Sequence, residues 1–226
     1  MVSKVRYLSK ATLNGVAQIM FQENLLTGII IVIGVAVGSL NFAVALLLSS
    51  FSGAFTADLI EYDKGKIEQG LYSFSAALVG VAALLFFRSH LITWSFVIIG
   101  GALAALIQHL SIKKGVAIYT LPFVLVTWLA ISLAHTLYPS LIVGAGELTS
   151  SSYDAFLFPL KGIGQVIFQG KLSTAIFFFL ALLISSPRVA LWAVGAALLS
   201  GACWPQSPFL LLKLKMDSGA SMQYWL

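Results

Sequence analysis

Long apolar runs separated by short polar breaks dominate the chain. The runs cover residues 25–57, 71–87, 91–110, 116–134 and 172–202. A helix needs about 20 predominantly apolar residues to cross the hydrocarbon core of a bilayer. The first and the last run each have room for two such helices, so the pattern predicts roughly seven membrane segments.

The composition supports the same interpretation. Apolar residues make up 59% of the chain, charged residues only 9%, and the mean hydropathy is +0.98. A soluble domain of this size carries far more charge on its surface. Because helices satisfy their own backbone hydrogen bonds in lipid, we predict an all-α polytopic membrane protein that crosses the bilayer several times.

Basic residues outnumber acidic residues by 13 to 8, which gives a formal net charge of +5. Many of them lie at the edges of the apolar runs, where Lys and Arg anchor and orient membrane helices. Lys4, Arg6 and Lys10 precede the first run and favour a cytoplasmic N-terminus. We therefore expect the lipid bilayer as a partner, and no nucleic acid.

Residue types that catalyse reactions or bind metals are scarce and scattered. His90, His109 and His135 lack the spacing of a metal site, and Cys203 is the single cysteine. Motifs such as HExxH, GxSxG and the Walker loop do not occur in the sequence. The sequence therefore predicts neither an enzyme nor a protein with a metal or cofactor.

One eight-residue motif occurs twice. GVAQIMFQ covers residues 15–22 and GIGQVIFQ covers residues 162–169, an offset of 147 (162 − 15). The triplet VAL at residues 44–46 also recurs at residues 189–191, with an offset of 145 (189 − 44). Matches in the same order at similar spacing predict a duplicated unit. Membrane transporters built from two repeats usually place the substrate path between them.

Each copy of the motif has a glutamine and a phenylalanine three residues apart. Gln18 and Phe21 would share one face of a helix, as would Gln165 and Phe168. The Gln amide can both donate and accept hydrogen bonds, and the Phe ring offers a flat apolar surface. Such faces suit a flat, neutral, hydrogen-bonding solute. Alternatively, the glutamines only begin helices and the phenylalanines only pack, and the sequence leaves both interpretations open.

Two further motifs follow the first copy. GVAQIMFQENLLTG (residues 15–28) precedes GLYSFSAALVG (70–80) and YTLPFVLVTW (119–128). In this order, and with GIGQVIFQ as a second copy of the first, the motifs resemble the urea transporter family, of the bacterial type. The resemblance covers most of residues 15–203. It implies two inverted repeats of about five spans each, a homotrimer of independent pores, and a location in the bacterial inner membrane.

The resemblance also implies which residues line the pore. Glutamines would stand at its mouths, phenylalanines would form an aromatic slot, and a leucine and a threonine would narrow it. The matching positions here are Gln18 and Gln165, Phe21 and Phe168, Phe74 at the first filter, Leu78 at the constriction, and Thr120 at the midpoint. Two of them have simpler interpretations, Thr120 as a helix N-cap before Pro122 and Phe74 as a core residue.

The family also has a carboxylate ahead of its GLYGFN motif. Glu61 is the candidate here and Glu68 is the alternative, although Glu61 could equally be a loop charge. The sequence departs from the motif itself, with Ser73 in place of Gly and Ser75 in place of Asn. Ser fits a tight turn less readily than Gly, which puts the geometry of the first filter in question.

The repeat and the polar breaks predict the domain organisation. We expect a first repeat at residues 1–145, a linker at 146–160 that is rich in turn-forming residues, and the start of a second repeat at 161–203.

The last residues, 204–226, do not continue the repeat. At an offset of 147, Gly70 should be matched near Asp217, but the sequence there reads MDSGASMQYWL. A shifted reading frame that begins within the codon of Met216 permits GLRGFNAVLV. We therefore hypothesise that residues 204–226 are out-of-frame sequence and that the second repeat is incomplete, which sequencing of the gene would test.

The resemblance implies passive, channel-like transport of urea through a pore between the two repeats. Urea is planar and uncharged, and removing its water costs several kcal/mol for each hydrogen bond that is not replaced. A line of acceptors would lower this barrier, and an apolar slot would exclude hydrated ions. The alternatives are a facilitator for another small neutral solute, such as ammonia, water or a short amide, and an inactive truncated transporter.

Overall fold

The computed structural model describes residues 2–143, 160 and 162–203. Apart from residue 160, the predicted linker lies outside the described residues. The predicted out-of-frame tail lies outside them entirely.

Helices account for most of the described chain, which confirms the all-α fold class. The described residues contain no β-strand, only an isolated antiparallel bridge between Phe87 and Ile142. In chain order the elements are α1 (Val2–Gln18), α2 (Leu25–Gly38), α3 (Leu40–Leu59), α4 (Lys64–Glu68), α5 (Phe74–Phe86), α6 (Leu91–Lys114), α7 (Leu121–Leu137), a 3-10 helix (Pro139–Leu141), α8 (Leu172–Ser185) and α9 (Pro187–Cys203).

Each of the seven predicted apolar segments forms a helix, but the helices differ in length. Within the described chain, α3 and α6 are long and apolar enough to cross a membrane, with 20 and 24 residues. The shorter α2 and α8 have 14 residues each. A helix of that length rises about 21 Å, less than the ~30 Å of a hydrocarbon core. Length and composition therefore identify two of the seven segments as candidates for a full crossing.

Side-chain caps and backbone breaks set the helix ends. The Asn24 side chain accepts hydrogen bonds from Leu26 N (2.9 Å) and Thr27 N (3.3 Å) and so begins α2. Ser39, with an extended backbone, separates α2 from α3. Gly115 ends α6 in the left-handed conformation, with φ +66°. Caps of this kind satisfy backbone groups that a helix end leaves unpaired.

Helix α5 lies at the centre of the first half of the chain. Every residue from Phe74 to Ala83 is buried, and α5 packs against α1, α3, α6 and α7. Helix α3 joins three of its neighbours through serine hydroxyls. Ser49 donates to Ala76 O of α5 (2.6 Å), Ser50 to Thr12 O of α1 (2.9 Å), and Ser52 to Ile98 O of α6 (2.7 Å). Small hydroxyl residues let apolar helices approach closely and bond across the interface.

Helix α8 packs against α2, and α9 packs against α8. The largest hydrophobic cluster joins buried residues of α1, α2, α3, α5, α8 and α9. Ile163 and Ile167, which precede α8, also belong to this cluster. The second copy of the repeated motif therefore lies against the same core as the first.

The end of α1 meets the turn at residues 70–73 with almost no space between the backbones. A Cβ on Gly15 would overlap the Cβ of Ser73, and a Cβ on Gly70 would overlap the backbone N of Gly15. Gly70 also has φ +83°, which a residue with a Cβ adopts with difficulty. Only glycine fits at these two positions. Their contact places the last turn of α1 beside the first turn of α5.

We expect Gly15→Ala to destabilise the protein by about 1–3 kcal/mol, because the added methyl group overlaps Ser73 and forces the backbones apart. Thermal unfolding in detergent, followed by loss of monodisperse protein, measures the change. Gly162→Ala is the matched control, since Gly162 is the repeat counterpart of Gly15 and its Cβ would meet no described atom within 4 Å. Equal losses of stability in the two variants would contradict the role of the contact at Gly15.

Candidate functional site

A cavity of about 230 Å³ lies where the end of α1 meets the start of α5 and the end of α6. It is bounded mainly by apolar side chains and carries no charged residue among its lining. The lining residues are Gln18, Phe21, Leu71, Phe74, Gln108, Ser111, Ile112, Val116, Ala117, Ile118 and Tyr119. Gln18, Phe21 and Phe74, three of the predicted pore residues, therefore share one cavity.

Two amide side chains of α1 hold the cavity wall in place. Asn14 Nδ2 donates to Glu68 O at 2.7 Å, and Gln18 Nε2 donates to Gln69 O at 3.1 Å. Both carbonyls lie at the C-terminal end of α4, where the last carbonyl groups of a helix have no backbone N–H of the same helix to bond to. The Gln18 amide is thus fixed by its nitrogen, which leaves its oxygen as an acceptor.

Phe21 adopts a left-handed backbone, with φ +55°. This conformation is uncommon for a bulky residue and costs about 1–3 kcal/mol. Its amide donates to Gln18 O (2.9 Å) in a tight turn that ends α1. The ring is 72% exposed and lies edge-to-face with the ring of Tyr119, with the two centroids 6.1 Å apart. The turn therefore directs the Phe21 ring outwards, over the cavity.

Phe74 and Leu78 lie on α5 and differ in what they contact. Phe74 is 9% exposed, belongs to the largest core cluster and also lines the cavity. Both interpretations of Phe74, as a core residue and as a cavity residue, thus describe where it lies. Leu78 is buried in the same cluster and does not line the cavity.

Thr120 occupies the N-cap position directly before α7, with Pro122 in the first turn of the helix, as the N-cap interpretation expects. Its side chain makes no capping hydrogen bond, and it does not line the cavity. The preceding residue, Tyr119, does line it, with φ +43°. Ser75 Oγ donates to Tyr119 O at 3.4 Å, so the serine that departs from the family motif helps to hold this segment.

The two candidate carboxylates lie outside this cavity. Glu61 is exposed, with φ +57°, in the turn that follows α3. Glu68 forms an ion pair with Lys10 at 3.0 Å and lines a second cavity of about 1010 Å³ along α1, together with Arg6 and Tyr7. Burial, and then the nearby charges of Asp58, Glu68 and Asp63, raise the pKa of the Tyr7 hydroxyl.

The second copy of the motif has the same backbone as the first. Phe168 has φ +56°, and its amide donates to Gln165 O at 2.9 Å, as Phe21 does to Gln18 O. The Phe168 ring packs on Phe123 of α7, with centroids 5.9 Å apart, whereas Gln165 is exposed. The described residues do not place Gln165 in the cavity that holds Gln18.

Helices α2 and α8 repeat each other position by position. The buried residues of α2 are Thr27, Gly28, Ile31, Gly34 and Val35, and those of α8 are Thr174, Ala175, Phe178, Ala181 and Leu182, each at an offset of 147 (174 − 27). The starts of α3 and α9, Leu40 and Pro187, keep the same offset (187 − 40). Helices α3 and α9 are continuous, so the offset of 147 between their starts holds along their whole length. The VAL triplets, at an offset of 145, therefore do not occupy equivalent positions in the two helices.

Reciprocal contacts show how α2 and α8 are oriented. Ser185 Oγ, at the end of α8, donates to Gln22 Oε1 at 2.6 Å, just before α2 begins. Lys171 Nζ, just before α8, donates to Gly38 O at 2.7 Å, at the end of α2. The start of each helix lies beside the end of the other, so the two helices run antiparallel.

Comparison with known proteins identifies the relatives of the chain. The family described as "Urea transporter" matches residues 9–205. The chain belongs to the urea transporter family. It is 27% identical over 205 residues to "Urea transporter 1" of Rattus norvegicus, which covers 83% of this chain and 53% of the rat protein. It is 28% identical over 206 residues to "Urea transporter 1" of Mus musculus, with the same coverage.

The chain thus spans about half the length of the curated relatives that it matches. Membership confirms the family resemblance that the motifs GVAQIMFQ, GLYSFSAALVG and YTLPF carried. The roles of the individual pore residues stay predictions.

Three residues of this family member were missed from the sequence. Tyr119 lies within the motif YTLPFVLVTW, directly before Thr120, which is the residue that the motif predicts for the pore. Gln22, which bonds to Ser185 of α8, directly follows Phe21 in the repeated motif. Its recurrence as Gln169 in the second copy was the sequence feature that could have identified it. Gln108 lies on α6, outside every motif, and nothing in its sequence neighbourhood marked it.

We expect Gln22→Ala and Ser185→Ala each to lower the stability of this family member by about 1 kcal/mol, because each removes the same hydrogen bond between α2 and α8. The double variant should lose less than the sum of the two losses. Heat denaturation in detergent measures all three. The control is a double variant that combines Gln22→Ala with Thr136→Ala. Because the Thr136 side chain bonds only within α7, the two losses of stability should add. Additive losses for Gln22 and Ser185 would show that the bond contributes nothing.

Proposed function

We propose that this chain mediates passive movement of urea across a membrane, through a pore to which the cavity at Gln18, Phe21 and Phe74 gives access. The observation that carries the proposal is that one uncharged cavity gathers these three residues in a chain of the urea transporter family. Each lies on a different segment, at the end of α1, in the following turn and at the start of α5.

The chemistry of the cavity fits urea. Its Gln18 oxygen can accept a hydrogen bond from a solute N–H, while the Phe21 and Tyr119 rings form an apolar wall. No charged side chain lines the cavity, so a hydrated ion would lose its water without compensation. A small neutral solute with N–H donors loses less, because polar side chains replace part of its hydration.

We further propose that the pore lies between two inverted repeats, with first repeat 1–145 and the second beginning near residue 161. The matched burial of α2 and α8 and their antiparallel packing support an inverted relationship. On this arrangement Leu78 and Thr120 narrow the pore of the first repeat, and Phe168 and Gln165 belong to the opposite wall. Glu61, or Glu68 in its place, would supply a carboxylate at the mouth.

The exterior of the protein supports a location within a membrane. Large apolar side chains are exposed on α2, α3, α6, α7 and α9, including Trp128 and Trp192. Apolar surface on this scale requires lipid or another protein against it. We propose a multi-pass protein of the bacterial inner membrane, and the family resemblance supports a homotrimer with a separate pore in each protomer.

Uptake of radiolabelled urea into proteoliposomes tests the proposal. We expect uptake above that of empty vesicles, saturation with urea concentration, and competition by thiourea. Gln18→Leu should lower urea permeability by roughly threefold to tenfold, because it removes one acceptor of neutral hydrogen bonds. Ser95→Ala, at an exposed hydroxyl that bonds within α6, should leave permeability unchanged.

Other outcomes assign other functions. Preference for ammonia, water or acetamide over urea would replace the proposal with that of a facilitator for another small neutral solute. Uptake equal to that of empty vesicles would show a chain that does not transport on its own.

A further inference from the structure

Four polar side chains line the cavity, and they differ in whether they form hydrogen bonds within the protein. Gln18 donates to Gln69 O, and Ser111 Oγ donates to Val116 O. Tyr119 contributes its ring and is 60% exposed. Gln108, on α6, is 7% exposed, and its buried amide oxygen has no hydrogen-bond partner among the described residues. Among the side chains that line this cavity, the Gln108 amide oxygen is therefore the buried acceptor that no described donor satisfies.

An unused buried amide is costly. Buried polar side-chain atoms nearly always have a hydrogen-bond partner, and an unpaired one costs about 1–3 kcal/mol. The other described residues with a buried side-chain oxygen that lacks both a hydrogen bond and an ion pair are Asn14, Ser73, Thr127 and Thr174, since the Asp58 carboxylate pairs with Lys4 at 2.8 Å. None of those lines the cavity, whereas Gln108 does.

The surroundings of Gln108 restrict the chemistry of a partner. The cavity lining has no charge to neutralise an ion, and its volume of about 230 Å³ admits only a small molecule. The Gln108 oxygen needs an N–H or O–H donor, and the apolar wall at Phe21 and Tyr119 favours a flat face. A small, planar, neutral molecule with N–H groups meets each of these requirements.

We propose that Gln108 is a solute-binding residue, whose amide oxygen accepts a hydrogen bond from an N–H of urea in the cavity that Gln18 and Phe21 also line. The inference rests on the proposed function and deepens it. It gives the first repeat two glutamines that serve one solute, Gln18 from α1 and Gln108 from α6. Gln108 lies outside the motifs that carry the family resemblance.

Nuclear magnetic resonance of the protein labelled with ¹⁵N-glutamine in detergent tests this binding directly. Loss of one side-chain amide signal in Gln108→Leu assigns the Gln108 resonance. We expect that resonance to move on titration with urea. It should not move with acetone, which has the size and shape of urea but no N–H donor. An unmoved resonance, or an equal shift with acetone, would overturn the inference.

Transport provides the second readout. Gln108→Leu should raise the urea concentration for half-maximal uptake by roughly threefold to tenfold, the loss expected for one neutral hydrogen bond, while keeping the fold. Thr127→Val is the matched control, because it also removes a buried, unpartnered side-chain oxygen, here a hydroxyl that does not line the cavity. It should leave half-maximal uptake unchanged. An unchanged value in Gln108→Leu would count against the inference.

The two readouts separate this inference from the proposed function. If the Gln108 resonance moves with urea but the protein shows no uptake, Gln108 binds urea and the transport proposal fails. If uptake saturates while the resonance stays still, transport stands and the role of Gln108 is wrong. Failure of both measurements would overturn both.

Discussion

The contact between Gly15 and Gly70 determines where the predicted pore residues of α1 and α5 lie. Because neither position has space for a Cβ, the last turn of α1 reaches the backbone that links α4 to α5. At that distance Asn14 and Gln18 can satisfy the carbonyls of Glu68 and Gln69. The amides thus serve the fold through their nitrogens, while the Gln18 oxygen stays available to a solute. Gln18 therefore combines a structural hydrogen bond with an acceptor that the proposed function would use.

Comparison of the two copies of the repeated motif distinguishes features set by the local sequence from features set by neighbouring segments. Both copies form the same turn, with φ +55° at Phe21 and +56° at Phe168. Their neighbours differ: Gln18 bonds to Gln69, whereas Gln165 is exposed, and Gly15 is tightly packed, whereas Gly162 is not. The eight-residue motif is thus enough to define the conformation of the turn. The contacts of its side chains depend on the segment that packs against the motif.

Much of the fold could be predicted from the sequence, and less of the site. The apolar runs predicted all seven apolar helices because burial in any apolar environment demands long uninterrupted patterns. Helix lengths were harder, since single residues such as Ser39 end a helix without breaking the apolar run. Gln108 and Tyr119 were missed for a different reason. Each lines the cavity together with residues distant in sequence, and no local sequence pattern shows this.

The left-handed phenylalanines have a consequence for how such a protein can change. Glycine or asparagine would relax the backbone at residue 21, which costs a bulky residue about 1–3 kcal/mol. Either replacement would also delete the aromatic wall. On the proposed function, selection for thermal stability and selection for permeation would therefore favour different residues at position 21. Laboratory evolution that selects only for thermal stability would tend to replace the aromatic side chain at position 21 while it keeps the fold.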